Sequence, residues 1–316
     1  MSGPVIGIDL GGTNLLVGLM DDGGTLVSRT HRPTDAHRGA QAVIDTIAEA
    51  VRDVCDTADC DVDTVDAIGI AVCGAVDHDA GIVLRTGALD WTDVPLSAPL
   101  EHQLGRPVVL ENDVNAAAWG EYRRGAGRGA QGMLAAWVGT GIGGGIVLDD
   151  RLFHGPRGTA GELGQTRSDT TRHGAPILEA IASRTGMRTL VAEAAGTFPE
   201  SMLLKLVGGD IDRIGTPELA TAFTAGDPLA LQTATTAAQV LGSALANAVT
   251  LLSIDTIVVG GGITEAFGEP WLEEVRARFR DDVFPPQASE WCRVVATALE
   301  SDAGLVGAAM LAADRQ

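Results

Sequence analysis

The sequence predicts a protein of two α/β domains, each with helices packed on a mostly parallel sheet. Two observations predict this fold class. Residues 6–19 and 136–148 share a pattern in which a strand breaks at glycines beside a threonine and then resumes. From about Met133 onwards, the order of strands and helices seen in the first part of the chain begins again. We therefore expect two halves with the same order of elements.

The first half alternates between strands and helices. Two or three strands are expected within residues 4–30, where glycines mark the turns between them. Apolar residues at helical spacing predict a helix over 39–56, namely Val43, Ile47, Val51 and Val54. Apolar runs predict strands at 67–76 and 107–110, and the second of these leads directly into a helix at about 114–122.

The second half repeats this order after a glycine-rich linker at 123–129, so we place the domains at 1–128 and 129–316. Hairpin strands and helices are followed by strands at 256–259 and 293–298. A closing helix at 303–313 is expected to pack back on the first domain.

The uncharged run between Asp227 and Asp255 is long enough to be considered as a membrane span. It carries nine Gln, Thr, Ser and Asn side chains. So many polar groups are unsuited to contact with lipid. We expect a helix buried in a protein core, and no membrane partner.

Composition excludes several classes of partner and enzyme. A net charge of −20 argues against binding to nucleic acid, which requires a basic surface. The only lysine is Lys205. Walker-type and protein kinases need a lysine in the phosphate site, so neither class fits.

Cysteine spacing and the N-terminus predict a cytoplasmic protein with reduced thiols. No signal-peptide pattern precedes the first strand, which starts near Pro4. The four cysteines have neither metal-ligand nor disulfide-framework spacing, and they are Cys55, Cys60, Cys73 and Cys292.

The two glycine turns are candidate phosphate-binding loops. Glycine lets backbone N–H groups approach a bulky anion, and successive free N–H groups form an anion-binding nest. One turn of this kind also fits an ordinary hairpin. Two turns at duplicated positions favour paired phosphate loops, formed by Gly11, Gly12, Thr13 and Asn14 in the first half and by Thr140 and Gly141 in the second.

Two further features belong to the same predicted site. Asp9 precedes the first turn, where its carboxylate could hold Mg²⁺, through water, or could bond to the turn itself. Gly260, Gly261 and Gly262 close a strand at a point where adenine could approach the backbone. On its own, such a triplet is typical of a simple turn.

Glu111-Asn112-Asp113 joins a buried strand to a helix. The carboxyl ends of parallel strands are where α/β sheets place ligands. Asp113 could take a proton from a hydroxyl that attacks a phosphoryl group. Asn and Asp are also favoured helix N-caps, so the triplet alone leaves both interpretations open.

These motifs together resemble the ROK family of bacterial sugar kinases and repressors. The residues that carry the resemblance are Asp9-x-Gly11-Gly12-Thr13, Glu111-Asn112-Asp113-x-Asn115-Ala116-Ala117, Gly139-Thr140-Gly141-Ile142-Gly143-Gly144-Gly145, Ala160-Gly161-Glu162-Leu163-Gly164 and Val259-Gly260-Gly261-Gly262. The resemblance implies the actin-like/hexokinase fold (ribonuclease H-like), in which two duplicated domains flank a cleft. It also implies ATP with Mg²⁺, and a homo-oligomer, either a dimer or a tetramer.

The resemblance assigns roles by position. Asp113 is implied as the catalytic base, and Gly74 is expected to lie against the sugar. Asn112, Glu162 and Glu179 are implied to hold sugar hydroxyls.

The chain departs from the family where many members bind a structural zinc. Gln165 stands in place of the histidine, and Thr171, His173 and Ile177 stand near the cysteine positions. A single histidine does not make a tetrahedral site of thiolates and imidazoles. We therefore expect no zinc.

Three other positions bear on the substrate. Gln165 changes the donors and acceptors offered to the sugar, which favours a sugar other than plain glucose, or a cyclitol. Asn14 replaces a basic residue common after the first threonine, and this weakens the expected contact with the terminal phosphate. Trp91 fits either a wall of the sugar site or the core.

The function expected from the sequence is ATP-dependent phosphorylation of a hydroxyl of a hexose or a related sugar or cyclitol. Two alternatives stay open. One is a catalytically weak, sugar-sensing regulatory protein of the same fold. The other is a polyphosphate-dependent glucokinase, although no basic track suited to a long polyanion is evident.

Overall fold

A computed structural model describes residues 3–167 and 174–315. Its contacts divide the chain into two compact units. The first unit contains the chain up to Arg128, the short segment His154–Ala160 and the C-terminal segment from Ser301. The second unit contains Gly129–Phe153 and Gly161–Glu300.

The first unit is built on a five-stranded sheet in the order β3-β2-β1-β4-β8 and a three-stranded sheet in the order β5-β6-β7. Its strands are β1 (Val5–Leu10), β2 (Asn14–Met20), β3 (Leu26–Pro33), β4 (Ala67–Val72), β5 (Ala75–Asp77), β6 (Ile82–Thr86), β7 (Trp91–Pro95) and β8 (Val108–Asn112). Its helices are α1 (Ala40–Thr57), α2 (Ser97–Leu104), α3 (Asp113–Arg124) and, from the C-terminus, α11 (Ala303–Asp314).

The closing helix α11 packs against β1, β4 and α3 of the first unit. Its backbone comes so close to the sheet that a Cβ on Gly69 would overlap the carbonyl group of Ala308. In the same way, a Cβ on Gly307 would overlap the carbonyl oxygen of Ala116 in α3. Glycine at these two positions therefore lets an almost wholly buried helix seal one face of the sheet.

The second unit repeats the sheet of the first, in the order β11-β10-β9-β12-β13. The strands are β9 (Gly132–Val138), β10 (Ile142–Leu148), β11 (Arg151–Leu152), β12 (Thr256–Gly260) and β13 (Arg293–Ala296). The helices are α4 (Glu179–Ala182), α5 (Arg184–Ala194), α6 (Met202–Leu206), α7 (Thr216–Thr224), α8 (Pro228–Leu252), α9 (Gly262–Asp282) and α10 (Ala288–Trp291).

The pairing directions match between the two sheets. In both, an antiparallel hairpin (β1–β2 or β9–β10) is extended on the other side by two parallel strands. The outer parallel strands, β8 and β13, pair with β4 and β12 in turn. The predicted α/β class and the repeated order of elements are confirmed.

Helix α8 is long and apolar enough to cross a membrane by length and composition, with a mean hydropathy of 1.2 over its best window. It packs against α4, α5, α7 and α9 of the second unit. The buried face includes Leu229, Leu241, Leu245 and Val249, which belong to the core of that unit. These contacts are those of a core helix, as predicted.

Candidate active site

Three neighbouring parallel strands of the first unit end side by side. Leu10 at the end of β1 pairs with Val72 of β4, and Val72 pairs with Asn112 of β8. This register brings three predicted site residues to one edge of the sheet: Asp9, Gly74 and Asp113. Such an edge is where α/β sheets bind ligands.

Asn112 makes the N-cap of α3. Its side-chain Oδ1 accepts hydrogen bonds from the backbone N–H groups of Val114 at 2.9 Å and Asn115 at 3.1 Å. Its Nδ2 donates to the Gly74 carbonyl at 3.0 Å and to Asp113 Oδ1 at 2.9 Å. The capping interpretation thus applies to Asn112, and Asp113 is the first helical residue, half-buried, with its carboxylate held by Asn112.

Glu111 is a buried anchor behind the Asn112-Asp113 pair. Its Oε1 accepts from the backbone N–H of Asn112 at 2.9 Å and from Asn115 Nδ2 at 3.0 Å. Its Oε2 lies 2.8 Å from Nε2 of His154, whose ring stacks on His78 with centroids 4.3 Å apart. The Glu111 side chain is only 5% exposed, so the His154 bond is well protected from water.

The bond between Glu111 and His154 shifts the pKa of each group. Burial alone would raise the pKa of Glu111, but the hydrogen bonds from His154, Asn115 and Asn112 lower it below the usual value. The same bond to Glu111 raises the pKa of His154, against the opposing effect of burial. The pair is therefore strongest as carboxylate and imidazolium.

Asp9 lies in an acidic environment at the end of β1. Burial, and then repulsion by Asp113, raise the pKa of Asp9 to about 7. The two carboxylates are therefore close enough to influence each other. A cation bound there would relieve this repulsion, and carboxylate oxygen is a ligand that Mg²⁺ prefers.

The first glycine turn is fixed by backbone bonds. Gly11 N–H donates to the Asn14 carbonyl at 2.9 Å. Thr34 holds the turn from outside, because its N–H donates to the Thr13 carbonyl and its hydroxyl donates to the Gly11 carbonyl. The side chains of Thr13 and Asn14 are exposed, and Asn14 Oδ1 lies 3.0 Å from His31 Nε2.

The second glycine turn is joined to the start of α5. Gly139 N–H donates to the Gly141 carbonyl at 2.9 Å, which closes the turn. Arg184 N–H donates to the Gly139 carbonyl at 2.9 Å, and Nη2 of the same residue donates to Thr140 Oγ1 at 2.7 Å. The Thr185 hydroxyl donates to the Thr140 carbonyl at 2.8 Å.

Glu179 also contacts this turn. Its Oε2 accepts from the backbone N–H of Ile142 at 2.8 Å, and its carboxylate lies against Gly141. Glu162 and Gln165 are exposed and share one 3₁₀ turn, which packs against β10. The second unit therefore groups these three predicted sugar contacts around one strand.

The glycine triplet adjoins the same turn. Gly261 has a φ of 88° and lies so close to Val138 that a Cβ would meet its backbone at 2.7 Å. Gly262, where α9 begins, faces open space. Gly260 ends β12, Gly261 is the N-cap of α9 and Gly262 is its first residue, so the triplet leads from strand to helix directly beside the second glycine turn.

Comparison with known proteins identifies the family. The profile of the ROK family matches residues 5–315. The chain belongs to the ROK family. It is 33% identical to a glucokinase of Thermotoga maritima over 98% of each chain. The enzyme class is therefore that of the carbohydrate kinases.

Solved structures of similar proteins confirm the fold. A ROK glucokinase from Streptomyces griseus, in complex with glucose and AMPPNP, is 34% identical and aligns with a TM-score of 0.83 over 99% of this chain and 100% of its own. An inorganic polyphosphate/ATP-glucomannokinase from Arthrobacter is 25% identical, with a TM-score of 0.61 over 99% of this chain and 100% of its own. The actin-like/hexokinase fold predicted from the motifs is confirmed.

Other predictions have separate outcomes. Trp91 is 4% exposed and belongs to the core of the first unit, so the core interpretation holds. All four cysteines are free. Thr171 and His173 lie outside the described residues, and across 3–167 and 174–315 no three potential ligands converge on one point, so the absence of zinc stays a prediction.

Sequence reasoning missed two residues of this ROK site. His154 lies 43 positions from Glu111, and Arg184 lies 44 positions from Thr140. No local pattern connects either pair. The only sequence signal is indirect: Ser183 is a favoured N-cap residue, and a cap places the next residue at a helix start.

Proposed function

We propose that this ROK protein transfers the γ-phosphoryl group of ATP to a hydroxyl of a hexose, with Asp113 as the general base and Mg²⁺ as the metal. The enzyme is expected to be soluble and cytoplasmic. The observation that carries the proposal is that Asn112 makes the helix cap and holds the neighbouring Asp113 carboxylate, which is the proposed base. Asn112 caps α3, and its amide orients the Asp113 carboxylate at the edge where three parallel strands end.

Asp113 would accept the proton of the attacking hydroxyl. A general base must lie within hydrogen-bond reach of that proton, and its geometry must be fixed before the reaction. Asn112 supplies this orientation directly, and Glu111 supplies it from behind by holding the backbone N–H of Asn112.

Asp9 fits Mg²⁺ through its donor set. It offers carboxylate oxygen in a place where burial, and then the neighbouring Asp113 carboxylate, disfavour its ionised form. When bound, Mg²⁺ would neutralise charge on the phosphate oxygens. In this proposal Asp9 holds the ion through water and stays ionised while doing so.

The two glycine turns would hold the phosphates. Their backbone N–H groups and the exposed hydroxyls of Thr13 and Thr140 offer donors to the β- and γ-phosphates. Gly260, Gly261 and Gly262 would lie against the adenosine, where side chains would obstruct it.

Polar side chains named from the resemblance would hold the sugar hydroxyls. Glu179 can serve the sugar and the phosphate turn at once, because a carboxylate has two oxygens and only Oε2 is engaged with Ile142. Glu162 and Gln165 would contact further hydroxyls, and Gly74 would lie against the ring. Asn112 would act on the sugar chiefly through Asp113 and Gly74, since both of its amide hydrogens already have acceptors.

Consumption of ATP with a panel of hexoses, amino sugars and cyclitols tests the proposal. Saturable, sugar-dependent turnover that requires Mg²⁺ is the expected result. Sugar binding without turnover, seen as a thermal shift alone, would instead support the sugar-sensing alternative. The same panel decides whether Gln165 redirects the enzyme from glucose to another sugar.

Polyphosphate is a second candidate donor, favoured by the likeness to the Arthrobacter polyphosphate/ATP enzyme. The net charge of −20 opposes binding of a long polyanion. Replacing ATP with polyphosphate in the same assay separates the two donors. We expect turnover with ATP to exceed turnover with polyphosphate by at least about tenfold.

A further inference from the structure

The first glycine turn supplies no cation to the proposed phosphate site. The first glycine turn is followed by the neutral Asn14, and the carboxylates Asp9 and Asp113 lie near it. The only lysine, Lys205, lies on α6 and pairs with Glu200 at 2.8 Å. ATP carries about four negative charges, which favour a charge-assisted hydrogen bond in its site.

Arg184 brings a guanidinium to the second turn. It is the first residue of α5, and its Nη2 donates to the hydroxyl of Thr140, a proposed phosphate contact, at 2.7 Å. Its backbone N–H donates to Gly139, so the residue is held to the turn at both ends. The described partners of Arg184 are neutral oxygens, and a guanidinium has five N–H donors.

We propose that Arg184 is the phosphate-binding cation of this enzyme and that it contacts the polyphosphate tail of the nucleotide beside Thr140. This inference rests on the proposed ATP-dependent function. In this arrangement a guanidinium donates to Thr140 and to a phosphate oxygen together, which a compact ammonium group does less well. The N-terminal end of the 11-residue helix α5 adds partial positive charge at the same place.

Binding of three probes to R184Q separates this role from simple support of the turn. The probes are Mg²⁺-AMPPNP, Mg²⁺-ADP and adenosine, measured by calorimetry. We expect R184Q to weaken AMPPNP binding by about 10- to 100-fold and ADP binding by less, because a charge-assisted hydrogen bond to phosphate is lost. Adenosine binding should stay within about twofold of the parent.

Two further variants complete the test. R188Q removes an arginine from the same helix that pairs with Asp212 at 2.6 Å, and we expect it to bind all three probes like the parent. R184K keeps the charge, so it should bind AMPPNP more tightly than R184Q does. If R184Q does not fold, binding of the same three probes is measured with R184K instead.

The outcomes are distinct. Unchanged AMPPNP affinity in both R184Q and R184K would overturn the proposed role of Arg184. An equal loss of adenosine and AMPPNP affinity would also overturn it, because such a loss indicates only a structural role. Failure of the parent to bind AMPPNP or to consume ATP with any sugar would instead refute the proposed function. A selective loss of phosphate-bearing probes supports the inference.

Discussion

The two units share one sheet topology but place different side chains beside their glycine turns, since the second turn has both the Arg184 guanidinium and the Glu179 carboxylate. At the first turn, Asp9 precedes the glycines, and burial, followed by repulsion from Asp113, raises its pKa to about 7. At the second turn, Arg184 donates to Thr140. The two units therefore share the sheet and the glycine turn, whereas the side chains beside each turn determine its chemistry. In the proposed mechanism, Asp9 and Asp113 of the first unit serve the metal and the proton, and Arg184 of the second unit serves the phosphate charge.

The largest effect on activity is expected when the proposed base, Asp113, is replaced. Asp113→Asn keeps the size and the hydrogen bond to Asn112, but it cannot accept a proton. We expect kcat to fall by about 10²- to 10⁴-fold with little change in Tm. Asp22→Asn, on the exposed hairpin after β2, serves as the control and should retain parental kcat.

The next largest effect is expected at Asp9. Asp9→Asn removes the charge proposed to hold Mg²⁺ through water, so the Mg²⁺ concentration for half-maximal rate should rise by about tenfold or more. The measurement is a Mg²⁺ titration of the rate at saturating sugar and ATP. An unchanged Mg²⁺ requirement would favour the alternative in which Asp9 only bonds to its turn.

The two threonines compare the turns directly. Thr140→Ala removes a hydroxyl and also releases Arg184, so KM for ATP should rise by about tenfold. Thr13→Ala removes a hydroxyl alone and should raise KM for ATP by about threefold. Equal effects in the two variants would show that the turns share the phosphate charge evenly. Thr140→Ser restores the hydroxyl and should restore most of the affinity.

The smallest expected effect is a change in stability, caused by loss of the bond between His154 and Glu111. The raised pKa of His154 gives stability that is fully present below pH 6.5 and is lost as the pH rises through the folded value. The lowered pKa of Glu111 gives stability that is present above pH 4.5 and is lost on acidification.

His154→Gln keeps a donor but removes the charge, so the variant should be less stable than the parent by about 1–2 kcal/mol near pH 5.5–6.5. The difference should shrink as the pH rises through the folded pKa of His154, where the parent loses the charge as well. Thermal unfolding of both proteins from pH 5 to 9 measures this. His102→Gln, at an exposed position of α2, should show no such trend; an equal deficit at every pH would exclude the charged pair.

Local patterns predicted the fold well because they report local physics. Alternation of apolar strands and glycine turns marked β1–β2 and β9–β10, and the spacing from Val43 to Val54 marked α1 within one residue at each end. Gly74 interrupts the predicted strand 67–76, which the structure divides into β4 and β5. The predicted linker begins with two arginines that the structure places in α3.

The site was predictable only where its chemistry is local. Asn112 and Asp113 adjoin a strand end, so the triplet alone offered base and cap as alternatives, and only the structure shows that Asn112 is the cap. That assignment depends on side-chain direction at the start of α3. The bonds of Glu111 to His154 and of Thr140 to Arg184 join distant segments, and no periodicity encodes such contacts.

A crystal structure with AMPPNP, Mg²⁺ and the sugar that gives the highest turnover would show whether Asp113 is the base. We expect one Asp113 carboxylate oxygen to lie about 2.6–3.2 Å from the sugar hydroxyl that faces the γ-phosphate. A hydroxyl that lies beyond hydrogen-bond reach of Asp113 and is bonded to another carboxylate, such as Glu162, would contradict it.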